Sequence, residues 1–207
     1  AGNLENYGSC RICSVEVSLS LNGPSRVMAA CHTPVTAGYY IYTSTEKIKR
    51  LRRNIIELIL TDYPADKLYP GEDKMPTGFQ KTIAEIGIPE VRYPLGRNHL
   101  GNQPDMSHPY IRSEMDQCIY CYRCVRACDE LQSEHVLGIS GRGFESSIIK
   151  GPDTNFMESG CVSCGACVQT CPTNALSDRY GTKTIRADKI VRTTCTYFGV
   201  GCNLEVK

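Results

Sequence analysis

The sequence predicts an α+β fold in two linked parts, and three observations carry that reading. Apolar residues alternate with polar ones at Val15, Val17, Leu19 and Leu21, ahead of a helical apolar spacing at Ile48, Leu51, Ile55, Leu58 and Ile59. Further along, thiols recur in two C-x2-C-x2-C-x3-C runs: Cys118, Cys121, Cys124 and Cys128, then Cys161, Cys164, Cys167 and Cys171. Between the two parts, residues 89–109, with Pro94, Gly96, Gly101 and Pro104, read as a loop-rich linker long enough to wrap a partner subunit. At 207 residues the chain has the length for a real core, so its 13 cysteines are not needed as disulfide staples. A formal net charge of +1 argues against a nucleic-acid or acidic-membrane partner, since both select a clearly basic surface. No apolar stretch approaches the roughly 18–20 residues of a bilayer span, and no signal segment opens the chain. The expected location is the cytoplasm.

The first elements surround a trio of thiols. Cys10-x2-Cys13-x17-Cys31 is a close pair followed by a distant third, as in the later part of the plant-type [2Fe–2S] pattern. Such a cluster takes four thiolates, and the sequence supplies three. The Val15–Leu21 alternation reads as a half-buried strand leaving this loop, Asn22-Gly23-Pro24 as a turn, and residues 26–30 as the returning strand. Thr43-Ser44-Thr45-Glu46 reads as a capping-box start for the helix. Its basic run, Lys47, Lys49, Arg50, Arg52 and Arg53, reads as a solvated face rather than a docking patch for an acidic partner.

The two later runs carry the strongest chemical signal. Each is the bacterial ferredoxin run, in which three cysteines bind one [4Fe–4S] cube and the fourth crosses to the other cube. Cys118, Cys121, Cys124 and Cys171 are therefore assigned to the first cube, and Cys161, Cys164, Cys167 and Cys128 to the second. Pro172 follows the second run, while Asp129 stands where a proline often follows the first, which removes no ligand. Zinc is the competing occupant, but it takes four ligands and pairs two CxxC elements, leaving the third thiol of each triplet over. Disulfides require an oxidising compartment, of which the sequence gives no sign. Residues 137–143 and 146–150 read as a short hairpin inserted between the runs. His32 stands next to Cys31 but reads as an ordinary loop histidine. Together with His99, His108 and His135 it forms no metal-spaced pair. No phosphate loop, Ser/His/Asp arrangement or carboxylate pair is legible, so no catalytic residue is assigned.

The stretches GSCRICSVEV, AACHTPVTAGYYIYTST and RLRRNIIELIL, followed by the paired runs, resemble the N-terminal iron–sulfur module shared by three relatives. These are the large hydrophilic iron–sulfur subunit of respiratory complex I, the catalytic subunits of NAD-linked [FeFe]-hydrogenases, and the NAD-linked formate dehydrogenases. The resemblance implies a β-grasp [2Fe–2S] ferredoxin-like domain (N-terminally incomplete) followed by a di-cluster 2×[4Fe–4S] ferredoxin-like domain with βαβ-like pseudo-twofold symmetry. In the family a further cysteine precedes the close pair, at a position that falls just upstream of Ala1. The chain is accordingly expected to lack its true N-terminus, the rival reading being that this cluster is absent. The family also holds a third cube by H-x3-C-x2-C-x5-C. Here Tyr63 stands at the histidine, while Lys67 and Pro70 take the first two cysteine positions, so that cube is expected to be lost. Thr193-Thr194-Cys195-Thr196-Tyr197-Phe198-Gly199-Val200-Gly201-Cys202 is similar to TTCPYCGVGC, which opens a formate-dehydrogenase domain. Phe198 replaces its middle ligand, so the tail reads as a remnant. Cys195 and Cys202 read as free thiols, with a metal shared with another subunit as the alternative.

The domain reading is residues 1–60 for the [2Fe–2S] part and its helix, 61–107 for a linker with the degenerate third site, 108–180 for the two cubes, and 181–207 for the tail. Function follows from the cofactors. The expectation is a short stand-alone electron-transfer subunit of a cytoplasmic multisubunit NAD(P)H-linked oxidoreductase, of the flavin-based electron-bifurcating, ferredoxin-linked kind. The resemblance implies as partners a flavin subunit binding NAD(P), a small thioredoxin-like [2Fe–2S] subunit, and a soluble ferredoxin. The alternatives are an electron-transfer subunit of a formate dehydrogenase or hydrogenase complex, and a non-redox assembly protein whose cysteines bind zinc.

Overall fold

The computed structural model describes residues 4–71, 74–87, 91–94, 103–181, 188–196 and 199–206. Ala1, His99, Phe198 and most of residues 89–102 lie outside the described residues. Chain order begins with β1 (Ser14–Ser18), β2 (Ser25–Ala29) and β3 (Tyr40–Tyr42), then α1 (Glu46–Leu60). The three strands form an antiparallel sheet in the order β2-β1-β3, with Ser14 opposite Ala29 and Glu16 opposite Tyr42. Strand β1 departs from the half-buried expectation, because all five of its residues are buried. It is the central strand, and its Glu16 is covered by the start of α1. The strand also stops early. Ser18 Oγ donates to the Ser20 carbonyl and accepts from the Ser20 N–H, turning the chain and leaving Leu19 80% and Leu21 67% exposed.

Thr45 caps α1 through an Ile48 N–H donated to its Oγ1 at 3.2 Å. The reciprocal half of a capping box is missing, since Ile48 has no side-chain acceptor, and the Thr45 hydroxyl instead donates to Glu16 at 2.5 Å. Ile48, Ile56 and Leu60 are buried, whereas Leu58 projects to the far side and is exposed. The basic run is divided in the same way. Lys47 pairs with Glu16 at 3.0 Å, and Arg52 Nη2 donates to the Ser14 carbonyl at 2.7 Å, so two of its members tie the helix to the sheet.

A second helix, α2 (Gly78–Ile86), begins with a complete capping box between Thr77 and Gln80 and ends on Gly87 in the left-handed region at φ 68°. It packs on α1 around Ile56, Leu60, Tyr63, Phe79 and Ile83. The Phe79 N–H donates to the Pro172 carbonyl at 2.9 Å, which fastens this layer to the end of the second cysteine run.

The remaining elements are β4 (Ile111–Ser113), α3 (Arg123–Arg126) running into a π-helical turn (Ala127–Leu131), β5 (Leu137–Ser140), β6 (Ser147–Lys150), α4 (Ala166–Thr170) and β7 (Leu176–Asp178). Strands β4 and β7 pair antiparallel and bring the two ends of this part together. Strands β5 and β6 form the hairpin expected between the runs. Ile111, Leu137, Phe156, Val168 and Leu176 make its core. The chain is thus mixed α/β with a ferredoxin-like part, and β8 (Val191–Thr194) and β9 (Asn203–Val206) add an exposed hairpin. Among the described residues no helix is long and apolar enough to cross a membrane.

Candidate iron–sulfur sites

The eleven cysteines of the N-terminal trio and the two runs are free thiols. Cys118, Cys121, Cys124 and Cys171 line one small cavity of about 20 Å³, closed by apolar side chains such as Ile119, Ile148 and Leu176. Cys128, Cys161, Cys164 and Cys167 line a second of about 20 Å³, with Val136, Leu137 and Phe156. Each cavity thus unites three thiols of one run with the fourth thiol of the other. Among the described residues no three His, Cys, Asp or Glu side chains are set to hold a single metal ion. The four thiols of each set line one cavity.

Local backbone geometry explains how the runs wrap. Tyr120 (φ 50°) and Tyr122 (φ 56°) occupy the left-handed region in the first run, and Ser163 (φ 60°) and Gly165 (φ 73°) do so at the matching positions of the second. A non-glycine residue there costs roughly 1–2 kcal/mol, so three of these four positions carry strain that the surroundings must offset. The reward is a set of inward amides. The Ser163 N–H donates to Cys161 Sγ at 3.4 Å and the Leu176 N–H to Cys171 Sγ at 3.5 Å. The Tyr120 and Arg123 amides serve Cys118 and Cys121 in the same way.

Burial pushes the Cys118 and Cys167 thiols up to about 12 each, and Cys124 well above the usual thiol range. Neighbouring thiols add to the effect: Cys118 and Cys171 act on Cys124, while Cys161 and Cys164 act on Cys167. Thiolates gathered in an apolar pocket repel one another, and the buried ones lack water, so each set is costly unless a cationic centre compensates it. Apolar walls, inward N–H donors and clustered thiols together fit an iron–sulfur cluster held by these residues.

The N-terminal trio lies on the loop before β1 and on the 3-10 turn Ala30–His32 after β2. Cys31 is raised by burial first and then by Cys13, with Cys10 also acting on it, so the three thiols share one neighbourhood. The Cys31 N–H donates to Cys13 Sγ at 3.4 Å. Gly8, at φ 70°, lets the loop fold over Cys31. A Cβ there would meet the His32 Cβ at 3.1 Å, so His32 closes the loop from beneath. Arg126 on α3 donates to the Glu5 carbonyl at 2.6 Å and covers the Tyr7 ring at 4.9 Å, which docks this loop beside the helix between Cys124 and Cys128. Ile12, between Cys10 and Cys13, and Ile119, between Cys118 and Cys121, pack against the same core around Tyr63.

Tyr63 itself is 6% exposed, with its ring 5.1 Å from Phe79. Lys67 and Pro70 instead line an open polar cleft of about 600 Å³. Cys195 and Cys202 face one another across the end of the β8–β9 hairpin, the Cys195 N–H donating to the Cys202 carbonyl at 2.7 Å. His135 pairs with Asp129 at 3.0 Å on the surface. His108 is a functional candidate that spacing did not reveal. It is 2% exposed and hydrogen-bonded to Ser163 inside the second run. The one sequence signal for it was its place at the head of the strand preceding the first run.

Fold and site together define a ferredoxin-like iron–sulfur protein. Residues 108–177 match the ferredoxin-like domain of NADH-quinone oxidoreductase subunit 3. Over 81% of its length the chain is 36% identical to the NADP-reducing hydrogenase subunit HndD of Solidesulfovibrio fructosivorans, of which it covers 28%. Over 96% of its length it is 31% identical to the NADPH-Fe(3+) oxidoreductase subunit alpha of Geobacter sulfurreducens, of which it covers 22%. Its fold superposes with a TM-score of 0.71 on a chain of the NAD+-reducing [NiFe]-hydrogenase in the H2-reduced state, at 24% identity, covering 85% of this chain and 71% of that one. The chain is thus similar to iron–sulfur-bearing subunits of NAD(P)-linked hydrogenases and oxidoreductases, and its residues 108–177 carry the ferredoxin-like domain. It spans less than a third of the length of these curated relatives.

Proposed function

We propose that this chain is an electron-transfer subunit of a cytoplasmic, multisubunit NAD(P)H-linked oxidoreductase of the flavin-based bifurcating, ferredoxin-linked kind. The observation that carries the reading is the pair of four-thiol cavities, each drawing its fourth cysteine from the other run. Cys118, Cys121, Cys124 and Cys171 would hold one [4Fe–4S] cluster, Cys161, Cys164, Cys167 and Cys128 the other, and Cys10, Cys13 and Cys31 would contribute to a [2Fe–2S] cluster. When bound, these clusters supply one-electron transfer at potentials tuned by hydrogen bonds to sulfur and by burial.

The chain's own part is to fix position and dielectric. The crossing residues Cys128 and Cys171 hold the two sites together, and apolar walls cover the buried Cys128 and Cys167 while Cys164 stays exposed. Arg126 and the Tyr63 core keep the N-terminal loop beside the first cavity. In domain terms, residues 1–60 would carry the [2Fe–2S] part, 61–107 the linker and degenerate third site, 108–180 the two cubes, and 181–207 a formate-dehydrogenase-like tail. The partners would be a flavin subunit binding NAD(P), a thioredoxin-like [2Fe–2S] subunit and a ferredoxin.

Anaerobic reconstitution tests the cofactor reading. The protein should take up about eight iron and eight sulfide for the two cubes and show reduced-cluster EPR signals after dithionite. Zinc without iron, or no such signals, refutes it. The native complex should then catalyse NAD(P)H-dependent ferredoxin reduction. A second reading, an electron-transfer subunit of a hydrogenase complex, is favoured by the 36% identity to a hydrogenase subunit. Hydrogen turnover by the purified complex would select it.

A further inference from the structure

The two cysteine runs share one backbone shape but hold it by different means. In the first run the left-handed Tyr120 carries a large ring, set against Tyr122 at 6.4 Å. In the second run the matching residue is Ser163, small, exposed and still at φ 60°. A serine has little to pack with, so something else must hold this conformation. The only side-chain bond recorded to its hydroxyl among the described residues comes from His108, whose Nε2 lies 3.2 Å from Ser163 Oγ.

The imidazole is itself fixed from every side. Its Nδ1 accepts two backbone N–H groups, from Tyr110 at 3.1 Å and Ile111 at 3.0 Å. That use of Nδ1 leaves the proton on Nε2, so His108 donates and Ser163 Oγ accepts. The ring stands edge-on to Phe156 at 5.2 Å and to Tyr110 at 6.0 Å. Phe156 in turn lines the second cavity. One residue further, the Ser163 N–H donates to Cys161 Sγ. A continuous relay thus runs from the β4 turn through His108 and Ser163 to a thiol of the second site.

We propose that His108 is the positioning residue of the second cluster's loop, holding Ser163 in its left-handed conformation so that the Ser163 amide stays aimed at Cys161. The inference rests on the cluster assignment of the preceding section. His108→Asn is the discriminating variant, because an asparagine oxygen still caps the Tyr110 and Ile111 amides while the side chain is too short to reach Ser163. Ser163→Ala removes the acceptor and keeps the strained Cβ. Ser163→Gly also removes the acceptor but takes φ 60° without strain.

The full chain is reconstituted anaerobically with iron and sulfide, and cluster loss to a chelator is followed alongside EPR of the reduced protein. Expected is a loss rate for the second cluster raised roughly tenfold, the scale of one hydrogen bond, in His108→Asn and in Ser163→Ala. The two changes combined should be no worse than either alone. The second cluster's EPR signal should shift, with the first cluster unchanged. Ser163→Gly placed on His108→Asn should restore retention towards wild type. The inference is overturned if His108→Asn keeps wild-type retention and spectrum, or if Ser163→Gly gives no rescue, which would leave His108 a core residue only. A wild-type chain that takes up no iron would instead refute the cluster assignment itself.

Discussion

Phe156 gives the most direct test of how the second cavity is built. Its ring is 1% exposed, lies edge-on to His108 at 5.2 Å, sits under Lys150 Nζ at 5.5 Å and walls the space between Cys128, Cys161 and Cys167. Its N–H donates to Asp105 at 2.9 Å, and a side-chain change leaves that main-chain bond in place. Phe156→Ala therefore reports on the ring alone. Truncating a buried aromatic costs about 3–5 kcal/mol in transfer and cavity terms. For a chain of this size that lowers Tm by roughly 6–20 °C. Phe156→Leu keeps most of the volume and should cost less than about 1.5 kcal/mol. Thermal unfolding of the cluster-loaded protein measures both. The alanine variant should also lose its second cluster faster, because the buried thiols Cys128 and Cys167 lose an apolar wall. An alanine variant within about 1 kcal/mol of the leucine variant would refute the claim that this ring closes the site.

Cys171→Ala should cost the protein about four iron and abolish the first-cavity EPR signal, although Cys171 belongs to the second run; Cys128→Ala should do the reverse, and loss of the same signal from both variants would contradict the crossed sets. Glu16 is held down to about 2, from an ordinary 4.5, by hydrogen bonds from Thr45, then Ser25, then Lys47. A depressed carboxylate adds stability that is complete above pH 4.5 and is lost as pH falls towards 2, so acid titration of Glu16→Gln should lack that part of the wild-type decline. Arg92 places three N–H···O contacts, from Nε and Nη2, on the carboxylate of Glu57, which is 1% exposed. Arg92→Ala leaves a buried charge uncompensated and should lower Tm more than Glu57→Gln, and equal effects would sink that account.

Much of the fold was legible because it rests on short-range signals. The start of α1 within Thr43–Glu46 and the hairpin between the runs follow from local spacing. What misled the pattern reading was neighbourhood. Val15 to Leu21 alternates as a one-sided strand does, yet β1 lies between two others under α1 and buries both faces. Leu58 fits the apolar count of α1 but falls on the side that meets no partner. The Thr77–Gln80 capping box stands in the sequence as a T-x-x-Q, a signal too short to mark α2 without the packing of Phe79 and Ile83 against α1.

By itself the sequence determined the chemistry on offer: thiols in two ferredoxin-type runs, a further group of three thiols near the N-terminal end, and Tyr63, Lys67 and Pro70 in the stretch between them. Covalent spacing limits which thiols one loop can present, and that limit needs no tertiary structure. Only the tertiary structure decided what surrounds them. It buried Tyr63 against Phe79, packed Ile12 and Ile119 on one core, and brought His108 across 55 residues to Ser163. Such contacts depend on burial and close packing between distant segments, and no local pattern encodes them.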